Sequence, residues 1–153
     1  MKDGPDGLTS DATPRIDVAQ FNDLMAREVP GVGGLMRADH IGAGTATLRL
    51  AYDDSMLRPG GTIAGPYMMA LADACMYAAV LSAIGIVKLA VTTSFNANFL
   101  HRPQPGDLIA DGRLLKLGKR LAVVEVSVHS DGLDDAVAHA TGTYSLPPDW
   151  AVD

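Results

Sequence analysis

The sequence predicts an α+β fold in which one curved antiparallel sheet wraps around a central apolar helix. Three observations support this prediction. Residues 66–84 form an apolar helical stretch with a single charge, four alternating segments follow it, and no repeat or linker divides the 153-residue chain. A chain of this length can build one domain with a sizeable core. We therefore predict a single domain over residues 15–153, preceded by a flexible tail over residues 1–14, which are dense in Gly, Pro and Asp.

The first elements are predicted to be a helix and a β-hairpin. The helix begins at Asp17, where Gln20 completes a capping-box pattern, and ends before Pro30. Apolar residues recur at helical spacing at positions 18, 21, 24 and 25. Residues 35–52 then alternate as β structure around a turn that contains Gly42 and Gly44.

The second helix is predicted to organise the rest of the molecule. Pro66 suits its first position, and Gly85 suits its end. Four strands follow at residues 90–100, 108–117, 121–130 and 136–146, separated by turns. Because this helix is apolar on almost every face, a single sheet would cover only part of it. The remaining surface predicts a second copy of the chain, in a dimer or a dimer of dimers.

Composition excludes several classes of function. The formal net charge of −6, without a basic stripe, argues against a nucleic-acid surface. Cys75 is the single cysteine, so no internal disulfide can form, and no secretory signal is recognisable at the N-terminus. A membrane span is disfavoured because a central Asp costs about 3 kcal/mol in lipid. We expect a cytoplasmic protein that contacts neither nucleic acid nor membrane, and the four histidines lack metal-ligand spacing.

Asp73 is the candidate functional residue. It is the one charge inside the apolar helix, and its neighbours at helical spacing are positions 69, 70, 76 and 77. Burying a carboxylate is costly unless it is hydrogen-bonded or opens onto a cavity. Two interpretations therefore stay open: a structural Asp that bonds a backbone group across a subunit interface, or a catalytic carboxylate.

Gly65 supplies a second candidate group. It places a backbone N–H at a helix N-terminus, where the helix dipole favours negative charge. It precedes Asp73 by eight residues, about two helical turns. A carbonyl oxygen on this N–H could be attacked by a nucleophile that Asp73 positions, as in an oxyanion hole. The alternative is that Gly60, Gly61 and Gly65 simply make tight turns.

Several segments together resemble one enzyme family. Residues 58–73, which begin RPGGTIAGP, resemble the active-site segment of hotdog-fold acyl-CoA thioesterases of the PaaI-like (phenylacetate-pathway) group. The strand TTSFNANFL at residues 92–100, with the Pro-Gly-Asp turn at 105–107, resembles the group's next strand. Residues 117–122 and 138–144 resemble its last two strands, so the likeness runs in order over residues 35–147.

The resemblance implies catalytic roles. In such enzymes the helix Asp, here Asp73, acts as general base or nucleophile on the thioester, and the Gly N–H, here Gly65, polarises the carbonyl. A Ser or Thr of the partner subunit helps to orient water. That role is carried over to Thr92, with Thr93 as a substitute. The resemblance implies no cofactor other than the coenzyme A of the substrate.

The sequence also departs from the family pattern and suggests substrate contacts. Arg58 stands where many members have Asn, and Ala64-Gly65-Pro66 stand where many have His-Gly-Gly. Arg58 could bind an acidic acyl group or a phosphate, or could pair with a surface carboxylate. The best-placed cations for coenzyme A phosphates are at positions 102, 116, 119 and 120. The resemblance favours Lys119 and Arg120 over Arg102 and Lys116.

The predicted function is hydrolysis of an acyl-CoA thioester in a homo-oligomer with active sites at the subunit interface. One alternative is a hotdog acyl-CoA hydratase or dehydratase. That chemistry usually needs a His beside the acid, and no His lies between His40 and His101. Another alternative is a non-catalytic acyl-CoA-binding module.

Overall fold

The computed structural model describes residues 12–151, which form two α-helices and six strands. Residues 1–11, most of the predicted flexible tail, lie outside the described range. In chain order the elements are α1 (Val18–Glu28), β1 (Met36–Gly42), β2 (Thr45–Leu50), α2 (Gly65–Ile84), β3 (Val91–Phe99), β4 (Leu108–Leu117), β5 (Leu121–Ser130) and β6 (Ala136–Ser145). Short 3₁₀ turns cover Gly31–Leu35 and Asp54–Met56.

The six strands form one antiparallel sheet in the order β1-β2-β4-β5-β6-β3. The sheet curves around α2, which contacts all six strands. This confirms the predicted α+β architecture of a sheet wrapped around a central helix. Because α2 separates β2 from β3 in the chain, β3 crosses to the far edge of the sheet, where its one partner among the described strands is β6.

Two glycines let α2 lie close to the sheet. A Cβ atom at Gly112 in β4 would lie 2.9 Å from Cys75 Sγ, and one at Gly142 in β6 would lie 2.5 Å from Met76 Sδ. Both distances are too short for a real side chain. Glycine in a strand interior often marks such a close approach. These two positions therefore determine how near the helix lies to the strands that face it.

The sheet leaves one stripe of α2 uncovered. Most residues of α2 between Leu71 and Ile84 are buried. The exceptions on one side of the helix, at positions 66, 69, 70, 73, 74 and 77, are half-buried or exposed. This i, i+3, i+4, i+7 spacing is one helical face. Although α2 is long and apolar enough to cross a membrane, 61% of its most apolar window is buried inside the fold. It is therefore the core helix of the domain, with one face left open.

Helix α1 is fixed to the outer edge of the sheet. The predicted capping box is present: the Asp17 carboxylate accepts from the Gln20 N–H, and the Gln20 side chain accepts from the Asp17 N–H. Asn22 then bonds both backbone groups of Ala38 in β1, with N···O distances of 2.7 and 3.2 Å. Phe21 on the same helix packs against Tyr77 of α2. The N-terminal helix is thus tied to both β1 and α2.

The predicted element boundaries are close to those of the structure, with small corrections. Strands 108–117 and 121–130 have the predicted bounds. The predicted β region 35–52 is shorter at both ends, since Leu35 belongs to a 3₁₀ turn and β2 ends at Leu50. Helix α2 begins at Gly65, so Pro66 is its second residue. Proline fits there because the N–H groups of the first helical turn have no partner inside the helix.

Arg49 connects the hairpin to the loops beside β4. Its guanidinium reaches the carboxylates of Asp39, Asp107 and Asp131 at 3.2, 3.1 and 2.8 Å. Asp107 also accepts a hydrogen bond from the Tyr52 N–H at 2.8 Å. That backbone bond, followed by Arg49, lowers the pKa of Asp107 below its usual value.

We expect Asp107→Asn to destabilise the fold. At neutral pH the free energy of unfolding should fall by about 1 kcal/mol. This is small for the loss of bonds to a charged group, because the side chain is partly exposed. A depressed carboxyl pKa stabilises the folded state above the unfolded pKa, and this contribution disappears as pH falls through the folded pKa. The difference between wild type and variant in urea unfolding should therefore be largest near neutrality and shrink below about pH 4. A difference that is independent of pH would contradict this origin.

Candidate active site

Asp73 lies half-buried on the open face of α2, and its carboxylate is held on one side only. Oδ1 accepts hydrogen bonds from Tyr144 Oη at 2.7 Å and from Thr92 Oγ1 at 2.8 Å. Tyr144 Oη also lies 3.0 Å from the backbone carbonyl oxygen of Asp73. Among residues 12–151, Oδ2 has no hydrogen-bond partner. The carboxylate is therefore oriented through one oxygen while the other stays available.

Strand pairing brings the two hydroxyl donors together. Thr92 at the start of β3 is paired with Tyr144 near the end of β6. The Tyr144 side chain is 3% exposed, and burial, followed by the negative charge of Asp73, raises its pKa well above the usual value. Tyr144 therefore stays protonated and donates a hydrogen bond throughout the neutral pH range.

A β-bulge distinguishes Thr92 from Thr93. The register between β3 and β6 shifts between Thr92 and Ser94, so Thr93 is the extra residue. Thr93 is exposed, and its hydroxyl donates to the Thr143 carbonyl oxygen at 3.2 Å. The structure therefore places Thr92 at Asp73 and Thr93 away from it. The resemblance implied a hydroxyl from the partner subunit, whereas Thr92 makes this contact within the same chain.

Gly65 lies in a different environment. It is the first residue of α2, and its N–H has no partner among the described residues. The Phe99 ring lies against it, so that a Cβ at this position would be 3.4 Å from two ring atoms. Gly65 lines a cavity of about 820 Å³ together with Arg58, His101 and Arg102. This cavity combines a free helix-terminal N–H with two guanidinium side chains.

The two central groups do not meet within one chain. Eight helical residues at 1.5 Å each separate Gly65 from Asp73 by about 12 Å along the helix axis. A thioester carbonyl has to lie about 3 Å from its hydrogen-bond donor and from the attacking group. Gly65 and Asp73 of one chain are therefore too far apart to contact the same carbonyl group.

Asp73 itself lies between two smaller cavities. One, of about 300 Å³, opens toward β3 and is lined by Met69, Ala70, Asp73 and Phe95. The other, of about 260 Å³, opens toward α1 and β1, and Tyr144 forms part of its wall. Ala70 and Asp73 line both, so these two residues form the boundary between them.

The predicted phosphate contacts divide into two groups. Arg58 and Arg102 line the Gly65 cavity, and Arg58 Nη1 donates to the Pro59 carbonyl oxygen. Lys119 and Arg120 are exposed on the β4–β5 turn, where Arg120 Nε donates to the Leu146 carbonyl oxygen. This turn lies beside the end of β6 that carries Tyr144, whereas Gly65 contacts Phe99 at the opposite end of β3. One protomer therefore does not bring the four cations to one place.

The remaining candidates form no alternative site. Cys75 is buried in the core, and burial raises its thiol pKa far above the usual value, so it is not a reactive nucleophile. No group of three or more His, Cys, Asp or Glu side chains within residues 12–151 could hold a metal ion.

Tyr144 is the site residue that sequence reasoning missed. The inward positions of β6 alternate through Ala138, Ala140 and Gly142 to Tyr144, and this alternation is visible in the sequence. A buried tyrosine usually finds a hydrogen-bond partner for its hydroxyl. Asp73 carries the lone charge of the facing helix and is the natural partner. The alternation of β6 could therefore have indicated the hydrogen bond between Tyr144 and Asp73.

We expect Tyr144→Phe to lower kcat about tenfold and to leave KM nearly unchanged, because the variant loses one charged hydrogen bond that orients Asp73. Initial rates on an acyl-CoA thioester, the substrate that the resemblance implies, measure the effect. Tyr52→Phe is the matched control, since its hydroxyl donates to Asp54 at 2.8 Å on the exposed surface. Equal rates in both variants would show that Tyr144 does not position the carboxylate.

Comparison with known proteins identifies the family. The model of the thioesterase superfamily matches residues 60–137. A "putative thioesterase" of Silicibacter sp. TM1040 is 40% identical, with a TM-score of 0.81 over 88% of this chain and 94% of the other. A "putative esterase" of Saccharolobus solfataricus is 28% identical over 86% of both chains.

A mutant of the phenylacetic acid degradation protein PaaI of Thermus thermophilus is also similar. It is 26% identical, with a TM-score of 0.65 over 73% of this chain and 93% of the other. The fold, the family model and these relatives agree. The chain therefore belongs to the thioesterase superfamily and is a hotdog-fold hydrolase of the PaaI-like group.

Proposed function

We propose that this hydrolase cleaves an acyl-CoA thioester to a free acid and coenzyme A, with Asp73 as general base or nucleophile. The observation that carries the proposal is the environment of this carboxylate. Oδ1 is fixed by Tyr144 and Thr92, and Oδ2 is free at the boundary of two cavities. An Asp that is structural within one chain would be expected to satisfy both oxygens inside the fold. An Asp that bonds a backbone group of a partner subunit is distinguished by the turnover of Asp73→Asn.

The active site is proposed to combine two subunits. Since Gly65 and Asp73 of one chain are about 12 Å apart along the helix, the Gly65 N–H must come from a second copy. In a dimer with two-fold symmetry, Gly65 of the partner subunit can lie at Asp73. The symmetry axis then passes beside Met69, which is midway between Gly65 and Asp73 on the helix. The Met69 side chain is 41% exposed on the open stripe of α2, as this arrangement requires.

The edge of the sheet supports the same self-association. In the part of the chain that the structure describes, strand β3 pairs on one side only, and large apolar residues at 89, 91, 99 and 100 on or beside it are 50–74% exposed. An unpaired strand edge with exposed apolar side chains is a surface that a second chain can cover. We therefore propose a dimer, or a dimer of dimers, in which each pair of chains forms two equivalent sites.

The chemistry follows from this arrangement. The thioester carbonyl oxygen accepts a hydrogen bond from Gly65 of the partner subunit, where the helix N-terminus stabilises the developing negative charge. If Asp73 is the base, Oδ2 takes a proton from water, whose oxygen attacks the carbonyl carbon. The tetrahedral intermediate then releases the thiolate as the C–S bond breaks, and the thiolate takes up the proton. If Asp73 is the nucleophile, Oδ2 attacks the carbonyl carbon and the C–S bond breaks to release the thiolate. Water then hydrolyses the resulting anhydride to the free acid and the Asp73 carboxylate, and its proton goes to the thiolate.

Coenzyme A is proposed to lie along the Gly65 cavity. Arg58 and Arg102 line this cavity, and guanidinium groups are well suited to bind the phosphates of coenzyme A. Lys119 and Arg120 could contact the same molecule only across a subunit boundary. The proposed setting is the cytoplasm, where acyl-CoA is present and the free Cys75 stays reduced.

The test is release of free thiol from a panel of acyl-CoA substrates, followed with a thiol-reactive chromophore. Hydrolysis above the buffer rate supports the proposal, and its absence for every thioester in the folded protein contradicts it. The same panel tests the hydratase alternative, which the presence of His101 in the Gly65 cavity keeps relevant. Loss of enoyl absorbance without thiol release would favour that alternative.

A further inference from the structure

The cavity between α1, β1 and α2 is an apolar compartment beside the Asp73 carboxylate. One wall consists of Met25, Val29, Val32 and Met36, from α1 to the start of β1. The opposite wall is α2, with Ala70 and Ala74 beside Asp73. Among residues 12–151, no cation lines this cavity, in contrast to the Gly65 cavity with its two arginines.

This compartment is held open by contacts that do not fill it. Asn22 fixes α1 to Ala38, and the rings of Phe21, Tyr77 and Tyr144 contact one another in series, with centroid distances of 6.3 and 6.2 Å. Tyr144 at the end of this series also bonds Asp73. The position of α1 and that of the carboxylate are therefore connected through the same aromatic side chains.

We propose that this compartment binds the acyl group of the substrate and that α1 is the specificity element of the enzyme. The proposal rests on the proposed thioesterase function. The thioester enters through the cavity between Met69 and Phe95, where the partner subunit is expected to approach. The acyl group then passes Ala70, which lines both cavities, and enters the α1 compartment.

The compartment indicates a substrate with an uncharged apolar acyl group of limited length. Its volume is about 260 Å³. A protein cavity of about 150 Å³ accepts benzene, so in proportion this one holds about ten carbon atoms, as an aliphatic chain or a substituted ring. An acyl group with its own carboxylate would be buried without a cation and beside Asp73, which is strongly unfavourable.

The experiment measures kcat/KM for saturated acyl-CoA substrates from acetyl to dodecanoyl and for succinyl-CoA. We expect kcat/KM to rise by up to about fourfold per methylene and to level off near decanoyl. Succinyl-CoA should be at least about a hundredfold poorer than hexanoyl-CoA, because its charge is unpaired in the compartment. A flat profile, or equal use of succinyl-CoA, would overturn the proposal while leaving thioester hydrolysis established.

Val32→Phe tests the compartment directly because the larger ring occupies part of it. It should shift the preferred chain to shorter lengths, with the largest loss of kcat/KM for the longest acyl groups. Val18→Phe is the matched control, since Val18 lies on α1 and does not line the cavity. If both variants keep the wild-type chain-length profile, the acyl group binds elsewhere.

A binding measurement separates this inference from the proposed function. Non-hydrolysable alkyl-CoA thioethers of increasing length are titrated into wild type and Val32→Phe by calorimetry. Suppose that no thioester is hydrolysed but affinity rises with alkyl length in wild type and not in Val32→Phe. The proposed hydrolysis is then refuted, and acyl binding in the compartment is supported. If affinity does not depend on length in wild type, the compartment is refuted whatever the activity.

Discussion

Asp73→Asn is expected to lower kcat by about 10²–10⁴-fold, the range for removal of a general acid–base group. The change is almost isosteric, and the amide oxygen can still accept from Tyr144 and Thr92, so the fold should be retained. What the variant loses is the proton-accepting or nucleophilic oxygen at Oδ2. Thiol release from the best acyl-CoA, measured beside thermal unfolding of the same preparation, separates catalysis from stability.

The control for this substitution is Asp23→Asn. Asp23 lies on the surface of α1, where it pairs with Arg27 and its side chain is 63% exposed. Exposed pairs contribute little to stability, so this variant should resemble wild type in both measurements. If Asp73→Asn keeps wild-type turnover but has a lower free energy of unfolding, the carboxylate is structural and the catalytic assignment fails.

Gly65→Pro is expected to lower kcat by about 10²–10³-fold, because it removes one donor of the oxyanion hole. Ala64 before this position suits proline, whereas Pro66 after it disfavours the helical conformation of residue 65, so thermal unfolding is measured beside the rate. Ala64 has the extended conformation that a residue before proline requires, with φ −70° and ψ 145°, and proline is favoured at the first helical position. Gly65→Ala is the control: it keeps the N–H, and its Cβ contacts the Phe99 ring at an acceptable 3.4 Å, so most activity should remain. Equal loss in both variants would indicate that packing against Phe99, and not the N–H, matters.

Mixing the two inactive variants tests whether the site joins two chains. In a mixed dimer of Asp73→Asn and Gly65→Pro, one site carries both substitutions and the other carries neither. With random pairing, half of the dimers are mixed, so activity should recover to about a quarter of the wild-type value. If Gly65 and Asp73 acted within one chain, no mixed dimer would contain an intact site, and activity would not recover.

The sequence predicted the elements well where a local pattern determines them. The capping residues of α1 and the apolar stretch of α2 are read from neighbouring residues, and the alternation of β4 and β5 is equally local. The bulge at Thr93 could not be predicted, because it depends on how β3 pairs with a strand about fifty residues later. For the same reason the sequence alone did not distinguish the roles of Thr92 and Thr93.

The candidate site was predicted in its parts but not in its assembly. Asp73 stands out locally as a lone charge, and Gly65 as a helix start. The distance between them could have been calculated from the helical rise alone. It is too long for both groups of one chain to contact the same substrate carbonyl. Tyr144 was missed because it lies 71 residues from Asp73 and reaches it only through the sheet. Arg102 and Lys119 were grouped by charge, whereas the topology places them at different ends of the sheet.

Gly142 limits how this enzyme can be altered. It lies two residues before Tyr144 on β6, and the Met76 side chain that fills the space above it is one helical turn from Asp73. Any side chain added there must push the Met76 side chain aside, one helical turn from the residue that makes the Asp73–Tyr144 hydrogen bond. Filling space in the core, a common route to thermostability, would therefore be paid for in turnover at this position. Variants selected for heat resistance should accumulate changes away from β6, on strands such as β1 and β2, and keep glycine at 142.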